Sequence, residues 1–317
     1  MFNISGKKSL PLLALKIGAA ALFLYFLHSN RNLTLDHFKW VWGHANPAFL
    51  ALSFGLGGLQ LYLNVLRWHQ FMQGAGLPTS RGQSASSFMA GSLLGLVSPG
   101  RLAEFGRGYL YPHYPVKDTA LVTFAEKFYF VFFILAFGLA GTLFGAVPLE
   151  RFIDSRIFLG AAFLLLCMVL ASGFAVVRGP RIGFKGLFRF FPSNEPGRFY
   201  LLTLTNLVYI LMIFQFYFIL IAFFKVKLMQ AFLTLSLTLV IITFFPVSFG
   251  NLGVREACFI YLLKELAGFP EIAALNAGFL LFLQNIFLPA LLGLGVIIIS
   301  GRSRLEKPGK VGGQRSS

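Results

Sequence analysis

The sequence predicts an all-α integral membrane protein, with six full transmembrane helices and two re-entrant (broken) helical hairpins in an inverted-topology repeat. Three observations point there. Of 317 residues, 57% are hydrophobic and only 12% charged, about half the charge of a soluble domain. Apolar runs of roughly 20 residues recur, each long enough to cross a hydrocarbon core of about 30 Å. Two further apolar runs are broken near their middles by proline and glycine. A backbone in lipid must satisfy its own hydrogen bonds, so these runs are helices. The alternation over about ten residues that marks a membrane barrel is missing.

The full spans are about Leu10–Leu27, Ala48–Leu66, Thr119–Gly145, Ile157–Val177, Phe199–Phe224 and Ala273–Ile299. The first follows Lys7-Lys8, as in a signal peptide. It is long for that role and no A-x-A site follows, so it reads as an uncleaved span. The broken runs are Gln83–Tyr111, interrupted at Ser98-Pro99-Gly100, and Leu228–Leu266, interrupted from Pro246 to Gly253. Proline removes a helical donor and glycine loosens the helix. Such breaks survive at membrane depth only where protein or water covers them. A re-entrant hairpin and a pair of crossings leave the chain's parity the same.

Net charge is +16. In a soluble chain this would indicate nucleic acid; here the cations belong in cytoplasmic loops against anionic lipid, and no nucleic-acid partner is expected. With a cytoplasmic N-terminus, Lys and Arg divide about 17 inside to 7 outside, as the positive-inside rule requires. The expected location is the cell (inner) membrane, multi-pass, with both termini cytoplasmic. Cys167 and Cys258 lie in apolar runs and form no CxxC motif, and the five histidines have no paired ligand spacing. No metal or other cofactor is expected, and no G-x4-G-K-S/T loop is present to bind ATP.

The spans and breaks repeat. Residues 1–145 read span, span, hairpin, span, and residues 157–300 read the same, followed by a basic cytoplasmic tail, 301–317. Three crossings is an odd number, so the second half of this single transmembrane domain starts from the opposite face. Discontinuous segments at matching positions of two inverted halves point to a transporter's substrate site.

Charge that the membrane should exclude gathers at the breaks. The first reads Ser98-Pro99-Gly100-Arg101-Leu102-Ala103-Glu104-Phe105-Gly106-Arg107. Ser98 suits an N-cap and Pro99 the first turn of a returning helix. Arg101, Glu104 and Arg107 recur every third residue and so share a face. The second break holds Pro246, Gly250, Asn251 and Gly253, followed by Arg255-Glu256. Asn251 is the expected cap of a helix running to about Leu266. Two returning helices that start near the midplane would aim their positive ends at an anion. Each Arg at a helix centre costs about 2.5–3.5 kcal/mol on insertion scales, so these side chains require partners or water. Glu126-Lys127, in the third span, joins the group; the blander alternative is a local pair. For Arg101, Glu104 and Arg107 the alternative is snorkelling to headgroups. Gln60, Asn64, Asn206, Gln215, Asn276, Gln284 and Asn285 read as amides joining helices, with the lining of a cavity as the alternative for Asn276, Gln284 and Asn285. Arg67-Trp68, Trp40, Trp42, Arg198 and Tyr200 read as interfacial anchors.

Arg67-Trp68, the Ser98-to-Arg107 segment, Glu126, and Pro246-x-Ser248-x-Gly250-x-Leu252-Gly253-Val254-Arg255-Glu256 together resemble the flippase-like transmembrane region of lysylphosphatidylglycerol synthases. The resemblance spans about residues 10–300, with Gly250-Asn251 where a Gly-Gly pair is expected. It implies lipid translocation. The soluble aminoacyltransferase domain of full-length synthases has no counterpart here, so the expectation is a transporter and not an enzyme. The cargo would be an anionic phospholipid or a polyprenyl-linked substrate, and an envelope glycosyltransferase is an expected partner. The headgroup would sit between the hairpin tips, against Arg101 and Arg255, with Glu104, Glu126 and Glu256 holding the arginines or exchanging protons. The alternatives are a membrane enzyme or a scaffold in a lipid-linked glycan pathway. The enzyme would need an Asp cluster or a catalytic His, whereas Asp36, Asp118 and Asp154 are scattered.

Overall fold

The computed structural model describes residues 39, 42–96, 98, 101–111, 114–144, 164, 166–170, 195–244 and 253–305. Leu10–Leu27, most of Ile157–Val177, Trp40, Pro99, Gly100, Pro246, Gly250, Asn251 and the tail beyond Leu305 lie outside them. The described residues are helical and turn, with no strand.

In chain order the helices are α1 Pro47–Gly74, α2 Arg81–Leu96, a 3-10 helix Leu102–Leu110, α3 Val116–Phe144, α4 Glu195–Phe223, α5 Leu228–Phe244, α6 Val254–Ala267, α7 Glu271–Phe282 and α8 Leu288–Leu305. A π turn, Leu283–Phe287, joins α7 to α8. Four stretches are long and apolar enough to cross a membrane: Pro47–Gly74, Val116–Leu143, Gly197–Phe223 and Glu271–Ile299. They match four of the six expected spans, Ala48–Leu66, Thr119–Gly145, Phe199–Phe224 and Ala273–Ile299, to within a few residues except where Pro47–Gly74 runs on past Leu66.

Helix α1 shows why this chain belongs in lipid. Asn46 caps it by accepting the Ala48 N–H at 3.0 Å, and Pro47 fills the first position. Ser53, Gly57, Gln60 and Arg67 lie on its buried face, beside Leu63, Trp68, Phe71 and Met72. Leu59 and Tyr62 point outward, 46% and 56% exposed. A soluble helix keeps such an outward face polar. Lipid supplies no hydrophobic drive between such helices, so close packing and hydrogen bonds hold them together. Phe216 stacks on Phe259 with centroids 4.5 Å apart, and Phe71 meets Tyr129 edge-on at 5.1 Å. A second polar contact joins α1, α4 and the π turn: Gln215 donates to Gln284 at 2.5 Å and to Asn285 at 3.1 Å, and Gln284 donates to Ser53 at 3.1 Å.

Packing is paired across the chain. Helix α1 lies against α4. Helix α2 packs on α8, as α5 packs on α3. The 3-10 helix packs between α2 and α3, as α6 packs between α5 and α7.

The first break differs locally from the sequence expectation. After it, the chain returns as a 3-10 helix, not an α-helix. Gly106 and Gly108 weaken the α alternative, and a three-residue turn aligns Arg101, Glu104 and Arg107 in one row. The residue ahead of this helix is Arg101, in the left-handed region at φ 59°. Ser98 still caps, with its hydroxyl accepting the Ala103 N–H at 2.9 Å. After the second break the residue capping α6 is Gly253; Asn251, the expected cap, lies outside the described residues. The φ of 88° at Gly253 suits glycine, and the Glu256 carboxylate accepts the Gly253 N–H at 2.7 Å.

Candidate functional site

Three elements bring charge to one place. Glu126 of α3 accepts Arg67 of α1 at 2.9 Å on one oxygen and Arg107 of the 3-10 helix at 2.6 Å on the other. Arg107 also donates to Glu104 at 3.1 Å. Glu104 pairs in addition with Arg101 and with Lys127. Arg67, Glu104, Arg107 and Glu126 are all buried. The Arg107 guanidinium lies over the rings of Trp68 and Phe88, at 4.8 and 5.0 Å, and Arg67 lies 5.4 Å over Phe130. Aromatic faces favour a desolvated cation.

Small residues make room for this row. The Arg107 side chain lies against Gly91 of α2 and the Glu104 side chain against Gly95, so a Cβ at either position would collide with them.

The second cluster is smaller. Arg255, at the start of α6, pairs with Glu256, and its guanidinium lies 5.4 Å from the Phe282 ring centroid. The two clusters share one cavity of about 390 Å³, lined by Arg67, Arg101, Arg107, Glu126, Lys127 and Arg255. Apolar residues of α3, α4 and α5 line it too, among them Val131, Ile134, Met212 and Leu239, together with the amides Gln284 and Asn285. Small-molecule sites occupy roughly 300–1,000 Å³. Among the described residues no three His, Cys, Asp or Glu side chains converge as metal ligands.

The structure therefore places Arg101, Glu104, Arg107 and Glu126 in one cluster, and Arg255 and Glu256 in another across the cavity. Of the expected hairpin tips, Ser98 and Gly253 are described and cap the returning segments. Pro99, Gly100, Pro246, Gly250 and Asn251 lie outside the described residues.

Two expectations need correction, and one alternative falls away. Arg67-Trp68 is not an interfacial anchor; both residues are buried, at 4% and 0% exposure, and Arg67 belongs to the site. Its register gives the signal, because Gln60, Asn64 and Arg67 continue the polar stripe of α1 at helical spacing. Arg198 is likewise buried, whereas Trp42 and Tyr200 are exposed. Glu126 and Lys127 do not pair locally. Adjacent residues on a helix diverge, and each finds a partner on the 3-10 helix.

The family model for the lysylphosphatidylglycerol synthase transmembrane region matches residues 12–293. The chain belongs to this family. It is accordingly a multi-pass membrane protein of the lysylphosphatidylglycerol synthase transmembrane region type. A comparison with curated proteins returns no match. Within this family member, both charged clusters lie inside the matched stretch, as do three of the four membrane-length helices and most of the fourth, Glu271–Ile299.

Proposed function

We propose that this protein is a lipid transporter that moves an anionic phospholipid or polyprenyl-linked substrate across the cell membrane, with the headgroup held in the charged cavity. One observation carries the reading: Arg101 and Arg255, one from each broken segment, line the same cavity. Arg67 and Arg107 stand behind Arg101, and Glu104, Glu126 and Glu256 fix the guanidinium groups. Charge-assisted hydrogen bonds from several arginines suit a phosphate. The apolar residues of α3, α4 and α5 along the same cavity suit the first carbons of a lipid chain.

The transport cycle rests on the inverted repeat. Six spans and two re-entrant hairpins would place halves 1–145 and 157–300 in opposite orientations, both termini cytoplasmic. The paired packing supports this, because α1, α2, the 3-10 helix and α3 make the contacts that α4, α5, α6 and α7–α8 repeat. Rocking of one half against the other would open the cavity to each face in turn. The family name concerns a lipid-modifying synthase, and an enzyme or scaffold remains the second reading. No pair of acid and base groups free of structural partners is seen in the described cavity, which favours binding over catalysis.

The test is headgroup translocation in proteoliposomes. Arg255→Ala and Glu256→Ala should abolish transport of a labelled anionic lipid while the protein still elutes as a folded species. Transport at the wild-type rate by both variants would remove the mechanism.

A further inference from the structure

The cavity's charges do not balance. Five cations line it: Arg67, Arg101, Arg107, Lys127 and Arg255. Their carboxylate partners are three: Glu104, Glu126 and Glu256. An excess of two positive charges is left among the described residues. Each carboxylate is already engaged, Glu126 by two arginines and Glu104 by Arg101, Arg107 and Lys127. Donors remain. Nε and Nη1 of Arg67, and Nε of Arg101 and Arg107, are buried with no acceptor. Arg67 and Arg107 are 4% and 1% exposed and both line the cavity. Uncompensated charge at membrane depth is costly, as is a buried donor without an acceptor.

From this we infer that the headgroup bound here is a dianion, a terminal phosphate monoester on a lipid tail, and not a phosphodiester. The inference rests on the transport reading and narrows its cargo. A phosphate monoester carries close to two negative charges above its second pKa of about 6, with three acceptor oxygens for the free guanidinium donors. A phosphodiester carries one charge and leaves the site short by one. Lysylphosphatidylglycerol, the product in the family's name, carries two amines against one phosphate and is repelled. Discrimination is thus set by charge number, while the apolar wall accepts any flexible chain.

The experiment is calorimetric titration of the full-length protein in nanodiscs at pH 8 with four probes: geranyl phosphate, dihexanoyl phosphatidylglycerol, dihexanoyl lysylphosphatidylglycerol and inorganic phosphate. Geranyl phosphate should bind at least about tenfold more tightly than the phosphodiester, because one further charge acts at short range in a low-dielectric site. The lysylated lipid should bind most weakly. Lys127→Gln removes one unit of excess and should cut the monoester's advantage by about tenfold, while Lys127→Arg should keep it. Lys127 is the most exposed cation of the Glu104 cluster, with 35% side-chain exposure, so this exchange is the gentlest on folding.

Equal affinity for monoester and phosphodiester would overturn the dianion inference and leave lipid transport standing. Equal affinity for geranyl phosphate and inorganic phosphate would keep the dianion but assign it to the free ion, overturning the lipid reading. Binding of none of the probes would overturn both.

Discussion

Glu126 is held by two arginines from different elements, and neither has another carboxylate as close. Replacing it with alanine leaves Arg67 and Arg107 as like charges in the same buried space. Breaking one side of a buried pair costs about 3–5 kcal/mol. Glu126→Ala should therefore lower the thermal unfolding midpoint in detergent sharply, and an unchanged midpoint would show that the pair carries no stability. Arg101 offers the opposite case. Its left-handed backbone costs of order 1–3 kcal/mol in a residue other than glycine. Arg101→Gly should leave the protein equally or more stable by the same thermal measurement, yet abolish transport. That combination separates a residue kept for its charge from one kept for the fold. At this scale the sequence was largely readable, because charge in an apolar run has few explanations. Arg67 is the exception, because a neighbouring Trp and a place at the end of the apolar run resemble a membrane anchor, whereas α1 continues to Gly74. Only the stripe from Ser53 to Arg67 reveals which way it points.

Close approach of helices governs the next scale. A Cβ on Gly293 of α8 would strike the backbone carbonyl of Met89 in α2, which cannot move aside as a side chain can. Gly295, one turn-half away, faces open space. Gly293→Ala should destabilise by about 1–3 kcal/mol, as overpacking does. Gly295→Ala should change little. Midpoints for the two variants by thermal unfolding decide this, and equal midpoints would place the α2–α8 contact elsewhere. The long spans could be read from hydropathy because lipid thickness sets their length. The 3-10 helix could not, since charges three apart lie near one another on an α-helix as well. The π turn at Leu283–Phe287 was also hidden. It occurs where two adjacent amides, Gln284 and Asn285, both reach Gln215, and only the packed partner shows that need.

For the whole molecule, the proposed inverted repeat ties two breaks far apart in sequence to one cavity. The four described spans could be read without a structure; that the 3-10 helix and α6 occupy corresponding places between their neighbours could not. The topology makes a separate claim. Reporter fusions at Met1 and Ser317 should both report the cytoplasmic side, and opposite sides would break the parity on which the repeat depends.

The central claim is that one headgroup is held by both broken segments at once. Cryo-electron microscopy of the protein in nanodiscs of its native lipids tests it most directly. The expected result is lipid density in the cavity with its headgroup in contact with Arg101 and Arg255 together. A headgroup bound elsewhere on the protein, with both arginines turned only to their glutamates, would contradict it.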